Sequence, residues 1–286
     1  MSAFVERYFK TDDGRELFYR DYPGPSSRSA VVCLPGLQTN SRTFHYVAPR
    51  IAETRRVLCL DPRGRGRSAY DTPKNYSLNR EALDTAQLVM HAGLSPVIIL
   101  GISRGGLSGL ILAAKSPLVS GLILVDVGPE ILIGPMPRAG KDVLPTTSFA
   151  TWDDAAEALK ASHSPWFPSM PEEKWRFWAD GIYKEQDGRI VPDSDFELTN
   201  RAWRKSEAEQ SSGRIVLWHL FDDLPPMPVL VIRGEHSDVL SEETIAKMRS
   251  QRPSVVAATV KGYGHRPFLD EPESEAALAS FFRGAP

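Results

Sequence analysis

Apolar and polar positions fall in blocks along this chain, and the blocks change period from one to the next. Residues 4–9 and 16–22 read as two strands joined at Asp12-Asp13-Gly14, a hairpin turn signal. Residues 30–34 form a short apolar run that ends in Pro35-Gly36, as a buried strand entering a loop does. Residues 56–60 form another, ending in Asp61-Pro62-Arg63-Gly64. Residues 78–92 have helical character and precede Gly93. Residues 97–100 are a third apolar run, residues 107–114 after it are helical, and residues 122–127 make a fourth strand. Short apolar strands alternating with helices predict a parallel sheet covered on both faces.

The alternation stops near Gly128. Residues 131–224 are rich in helix formers and aromatics, with breaks at Pro165, Pro168 and Pro171. All six tryptophans fall here: Trp152, Trp166, Trp175, Trp178, Trp203 and Trp218. Position-blind composition would cluster them so in roughly one chain in a thousand. The sheet pattern resumes with a strand at 229–232, a helix at 242–249, a strand at 255–260 and a helix at 273–282. The reading is one α/β domain in two parts, 1–130 and 225–286, interrupted by a helical cap at 131–224. Its indoles form the cap's own core, with one or two expected to face the site.

Composition narrows the classes. With 286 residues the chain is long enough to need no metal or disulfide staple. Lys plus Arg total 34 against 36 Asp plus Glu, a balance with no footprint for nucleic acid or anionic membrane. Arg63, Arg65 and Arg67 are the local exception and read as a surface turn whose arginines are solvated or paired. The two cysteines, Cys33 and Cys59, sit in apolar runs and read as buried free thiols. The first ten residues carry Glu6, Arg7 and Lys10 and no apolar core, unlike a signal peptide. The longest uncharged stretch, 85–103, is broken by Gly93 and Pro96 and does not read as a membrane span. A cytoplasmic protein is expected, with no cofactor and no metal; oligomeric state has no signature here.

The chemistry lies in Gly101-Ile102-Ser103-Arg104-Gly105, which fits G-x-S-x-G. Alone, this pattern arises by chance in about one chain in ten of this length. Here it follows a strand and opens a helix, the setting that holds a serine on a sharp elbow. Glycines two before and two after remove side chains that would clash at such a turn. The helix N-terminus behind the serine favours an oxyanion.

On these residues the sequence resembles the α/β-hydrolase superfamily, in its serine-nucleophile branch with a helical cap. Three further matches join the elbow: Leu34-Pro35-Gly36-Leu37 after the third strand, Asp61-Pro62-Arg63-Gly64-Arg65-Gly66-Arg67-Ser68 as the family's D-x-R-G-x-G-x-S turn, and Gly262-Tyr263-Gly264-His265-Arg266-Pro267. The resemblance implies Ser103 as nucleophile and His265 as base. It implies Asp238, in Arg233-Gly234-Glu235-His236-Ser237-Asp238, as the acid that orients the imidazole. Asp126, closing the strand beyond the elbow, is the alternative acid, because some members take it from there. Backbone N–H groups of Leu37 and Arg104 would form the oxyanion hole. Pro35 stands where the family often has a histidine that supports this loop. The Arg104 side chain is expected to pair with a protein carboxylate rather than with substrate.

Serine at the elbow argues against the branches that use aspartate there. Cleavage of an ester, lactone or thioester of a small, largely apolar or aromatic molecule is the expectation. C–C bond hydrolases also use serine, but they tend to have a glycine-rich loop and an aromatic residue after the histidine, where this chain has Leu37-Gln38-Thr39-Asn40 and Arg266. Enol-lactone hydrolysis, or a slow hydrolase-derived ligand sensor, are the other readings. The remaining histidines, His45, His91, His163, His219 and His236, read as structural or solvated, without metal-ligand spacing.

Overall fold

The hairpin at the start forms as β1 (Val5–Lys10) and β2 (Glu16–Tyr22), turned at Gly14, which takes φ 78°. The structure is a computed structural model and describes residues 4–132, 147–198 and 214–286. Behind the hairpin come β3 (Val31–Leu34), α1 (Ala48–Ala52), β4 (Val57–Leu60), α2 (Leu78–His91), β5 (Val97–Ile102), α3 (Arg104–Lys115) and β6 (Val119–Val125). The interrupting segment holds β7 (Glu130–Leu132), α4 (Trp152–His163), α5 (Glu172–Ile182), β8 (Tyr183–Gln186), β9 (Arg189–Pro192), β10 (Arg214–Val216) and α6 (Trp218–Asp222). The chain closes with β11 (Val229–Gly234), α7 (Glu242–Gln251), β12 (Val256–Val260) and α8 (Pro272–Gly284).

Eight strands form one sheet in the order β1-β2-β4-β3-β5-β6-β11-β12. The first two pairings are antiparallel and every later one is parallel. The central strands β3, β4 and β5 are apolar at every position because both their faces are covered. Alternate residues separate cleanly. Val32, Leu58, Ile99, Leu122 and Val231 pack with α2, α3 and α7, while Val31, Cys59, Leu100, Ile123 and Ile232 pack with α1, α8 and the helices of the interrupting segment. Cys33 and Cys59 are neighbours across β3 and β4, buried and free, as expected.

The interrupting segment is not wholly helical. Its described part carries two two-stranded ribbons, β7 with β10 and β8 with β9, besides α4 and α5. The β8–β9 turn is Asp187-Gly188, both at positive φ (51° and 72°), the backbone a two-residue hairpin demands. Phe167, Trp175 and Trp178 pack in one cluster with Tyr263 and Phe268 of the sheet domain, so the segment is seated on the sheet's own apolar surface. Lys174 of α5 pairs with Asp270 across the same seam.

The turn 61–68 also departs from expectation. Arg63 and Arg65 are fully buried rather than solvated, and only the Arg67 side chain is largely exposed. Burial is possible because carboxylates surround them: Asp13, Asp71 and Asp84 bind Arg63, and Glu81 binds Arg65.

Candidate active site

Ser103 stands between β5 and α3 with φ 49° and ψ −118°, a conformation that a non-glycine residue holds only when its surroundings enforce it. Its N–H donates to the Val125 carbonyl of β6 at 3.0 Å, and its carbonyl accepts from Gly106 N–H at 2.9 Å. The flanking glycines are sterically required. A Cβ on Gly101 would lie 2.5 Å from the Gly106 Cα, and one on Gly105 would lie 2.2 Å from the Leu34 carbonyl oxygen. The helix begins at Arg104, three residues earlier than its apolar spacing indicated, so its N-terminus abuts the serine.

Ser103 Oγ lies 3.0 Å from His265 Nε2, and His265 Nδ1 lies 2.7 Å from Asp126 Oδ2. The imidazole therefore carries its proton on Nδ1, donates it to the carboxylate and presents a bare nitrogen to the hydroxyl. Ser103 and His265 are partly exposed, while Asp126 is fully buried.

This corrects the expected acid. Asp126, the alternative, occupies the place assigned to Asp238. Val125 is the register partner of Ile102, so the residues that follow, Asp126 and Ser103, emerge side by side from neighbouring strands. Asp126 turns there at φ 52°, a left-handed conformation that aspartate tolerates. Its Oδ1 accepts from Gly234 N–H at 3.0 Å, and its Oδ2 also accepts from the Ser237 hydroxyl at 2.7 Å. From the loop after β11 it is thus Ser237, not Asp238, that reaches the carboxylate. Buried Arg233 shapes that loop by donating to the carbonyls of Glu235, Ser237 and Leu240. Asp238 instead lies where its charge acts on His163 at the end of α4. There burial pushes the imidazole's pKa down, against the Leu159 carbonyl and that charge.

The two expected oxyanion donors come from the start of α3 and from the loop after β3. Arg104 is the first residue of α3, so its N–H has no carbonyl four residues back in the helix. Leu37 follows Gly36, where a built Cβ would sit 3.9 Å from Ser103 Cβ. Arg65 takes over the loop support that a histidine at the Pro35 position would give. Its Nη1 donates to the Gly36 carbonyl at 2.8 Å. Arg65 Nη2 then binds Glu81 at 2.5 Å, and Arg104 Nε binds the same oxygen at 2.9 Å. The Arg104 side chain therefore meets a protein carboxylate, as expected. Glu81 ties the loop before Leu37 to the start of α3. Burial pushes its pKa up, but the guanidiniums of Arg104 and Arg65 outweigh it and hold Glu81 below its ordinary range. Ser237, Arg65, Glu81 and Arg233 were not singled out as site residues from sequence, although Arg65 belongs to the D-x-R-G-x-G-x-S turn.

Trp166 packs against the residue before the histidine: a Cβ on Gly264 would meet its Cβ at 2.8 Å. Trp175 and Trp178 are buried against Phe167 and Phe268, Trp152 lies under Arg176, and Trp218 packs on Phe221 on the other side of the sheet. Trp203 lies outside the described residues. Among the described residues no helix is long and apolar enough to cross a membrane, and no His, Cys, Asp and Glu cluster could hold a metal ion.

The sequence pattern described as the alpha/beta hydrolase family matches residues 31–278. The chain is 31% identical over 274 residues to the 3-hydroxybutyrate-oligomer hydrolase of Cupriavidus necator, covering 93% of this chain and 92% of that one. It is 28% identical over 251 residues to the 2-(acetamidomethylene)succinate hydrolase of Mesorhizobium japonicum, covering 85% and 83%. The crystal structure of an alpha/beta hydrolase from Novosphingobium aromaticivorans superposes with a TM-score of 0.85 at 36% identity, over 99% of each chain. With the strand order, the elbow and these matches together, the chain belongs to the alpha/beta hydrolase family.

Proposed function

We propose that this protein is a serine hydrolase that cleaves an ester-type bond through an acyl-enzyme, with Ser103 as nucleophile, His265 as base and Asp126 as the orienting acid. The observation that carries the reading is the unbroken chain of hydrogen bonds from Ser103 Oγ through His265 to the buried Asp126 carboxylate. A serine hydroxyl is too weak an acid to attack unaided at neutral pH. His265 Nε2 takes its proton as Oγ bonds to the substrate carbonyl carbon, and Asp126 stabilises the imidazolium that forms. The oxyanion is received by the N–H groups of Leu37 and Arg104; one such donor contributes about 3 kcal/mol in comparable sites. The tetrahedral adduct collapses, the bond to the leaving oxygen breaks, and that oxygen takes the proton from His265. Water then attacks the acyl-enzyme, giving its proton to His265, which returns it to Ser103 as the acid departs. A relative named for hydrolysing 3-hydroxybutyrate oligomers supports the ester-type reading.

Turnover of a panel of p-nitrophenyl esters tests it. The wild type is expected to turn over many times per serine, and Ser103→Ala to lose roughly 10⁴-fold or more in kcat while folding normally. Retention of more than about a tenth of wild-type turnover by Ser103→Ala would sink the assignment. Stoichiometric acylation without turnover would mark a ligand sensor.

A further inference from the structure

The residue that follows the candidate base holds a second feature. Among the described residues five arginines are buried: Arg55, Arg63, Arg65, Arg233 and Arg266. Four of them hold two or more partners each, although the Nε of Arg55 and of Arg65 is buried without one. Arg55 donates to the carbonyls of Ser29, Phe282 and Pro286, and Arg63 binds three carboxylates. Arg65 holds Glu81 and the Gly36 carbonyl, and Arg233 holds three carbonyls. Arg266 differs. It is 7% exposed, and among the described residues it makes no hydrogen bond or ion pair, with Nη1 fully buried and without a partner.

A buried guanidinium with idle donors is costly, and folded proteins seldom keep one without a use. Burial lowers its pKa to about 10, with the Glu271 charge opposing, so it stays cationic at neutral pH. Glu271 supplies a field and no bond: its oxygens accept from the N–H groups of Phe268 and Leu269 and from the Ser274 hydroxyl. The guanidinium lies over the Phe268 ring, 5.2 Å from its centroid. Its Nη1 donors meet no protein acceptor, and a guanidinium fork of this kind matches a planar anion. Phe268 in turn touches Phe177 and Trp178 of α5, so the charge sits at the seam between the sheet and the helices over it. Arg266 is also bonded through the chain to His265, whose Nε2 faces Ser103 at 3.0 Å.

We infer that Arg266 is a specificity residue that receives a free carboxylate on the substrate, so that the preferred substrates are acidic esters rather than neutral ones. The inference rests on the serine-hydrolase reading above and adds the substrate class. A carboxylate would satisfy the idle fork, and a neutral acyl chain would leave it buried and unpaired.

The test compares p-nitrophenyl hydrogen adipate with p-nitrophenyl hexanoate, which have acyl chains of equal length and differ in the terminal carboxylate. Ser103→Ala serves as the blank for spontaneous hydrolysis. The wild type is expected to prefer the acidic ester by about tenfold or more in kcat/KM. Arg266→Gln should lower kcat/KM for the acidic ester by about 10- to 100-fold, the range of a charged hydrogen-bonded pair, and for hexanoate by less than about threefold. Arg266→Lys, which keeps the charge without the fork, should fall between. A wild type that shows no preference, or an Arg266→Gln variant that loses both activities equally, overturns the inference. The wild-type ratio decides even if the variants fail to fold. Hydrolysis of hexanoate without acidic preference defeats this inference alone. Failure on both esters, with Ser103 unreactive to a fluorophosphonate, defeats the hydrolase reading and this inference with it.

Discussion

Asp126 shows how much one position can carry. Three donors converge on its carboxylate, from Gly234, Ser237 and His265, and only an acceptor at both oxygens satisfies them. Asparagine there would present an N–H₂ to at least one donor and would favour the wrong imidazole tautomer. Asp126→Asn should therefore lower kcat by about 10³- to 10⁴-fold with an intact fold. Asp238→Asn should stay within about threefold, because Asp126 already occupies His265 Nδ1 while the charge of Asp238 acts on His163. Steady-state kinetics on one p-nitrophenyl ester decide between them, and the reverse pattern would return the acid to Asp238. The serine and histidine were legible in the sequence because their signals are local: a strand, a glycine-flanked turn and a helix for one, a short C-terminal motif for the other. The acid was not. Two carboxylates follow two adjacent strands, and which one meets the imidazole depends on a φ of 52° at Asp126 and on a loop held by Arg233. Neither leaves a mark in the order of residues.

At the scale of elements, the loop after β3, the turn 61–68, α2 and α3 are joined through Glu81. Replacing it with glutamine keeps the size and removes the charge between Arg65 and Arg104. Broken buried pairs cost about 3 to 5 kcal/mol, so Glu81→Gln should be destabilised on that order in urea unfolding at pH 7. The folded-state pKa of Glu81 is depressed. Its contribution is therefore fully present above the ordinary glutamate value of about 4.5 and fades as pH falls through the lower folded value. The stability gap between wild type and Glu81→Gln should shrink in that acid window; a gap constant down to pH 2 would refute the account. Gly105→Ala tests the elbow by shape alone. The Leu34 carbonyl 2.2 Å from the new methyl cannot yield without moving β3, and soluble expression should collapse. The buried arginines were illegible for a plain reason: Arg65 finds Glu81 sixteen residues away, on another element. The β8–β9 hairpin did announce itself in Asp187-Gly188, and the helix-rich composition around it hid the signal.

Across the whole molecule the sheet was the most legible feature, because strands buried on both faces must be apolar throughout and helices between them must connect in parallel. The interrupting segment was less so, since tryptophans that pack on one another and on the sheet look the same in sequence as tryptophans that line a cavity. The strand order has a further consequence, which concerns time rather than space. The proposed nucleophile and acid follow consecutive, paired strands, whereas the proposed base stands 162 residues after the serine and 139 after Asp126. It can take its place only once β11 has joined β6 and β12 has joined β11. Contacts so distant along the chain form late, because loop closure must precede them. During refolding, secondary structure should therefore return before Ser103 becomes reactive to a fluorophosphonate, and a chain cut before His265 should never gain that reactivity. The gathering of the three residues would thus be a record of folding completed: until the sheet is whole, the serine should stay inert.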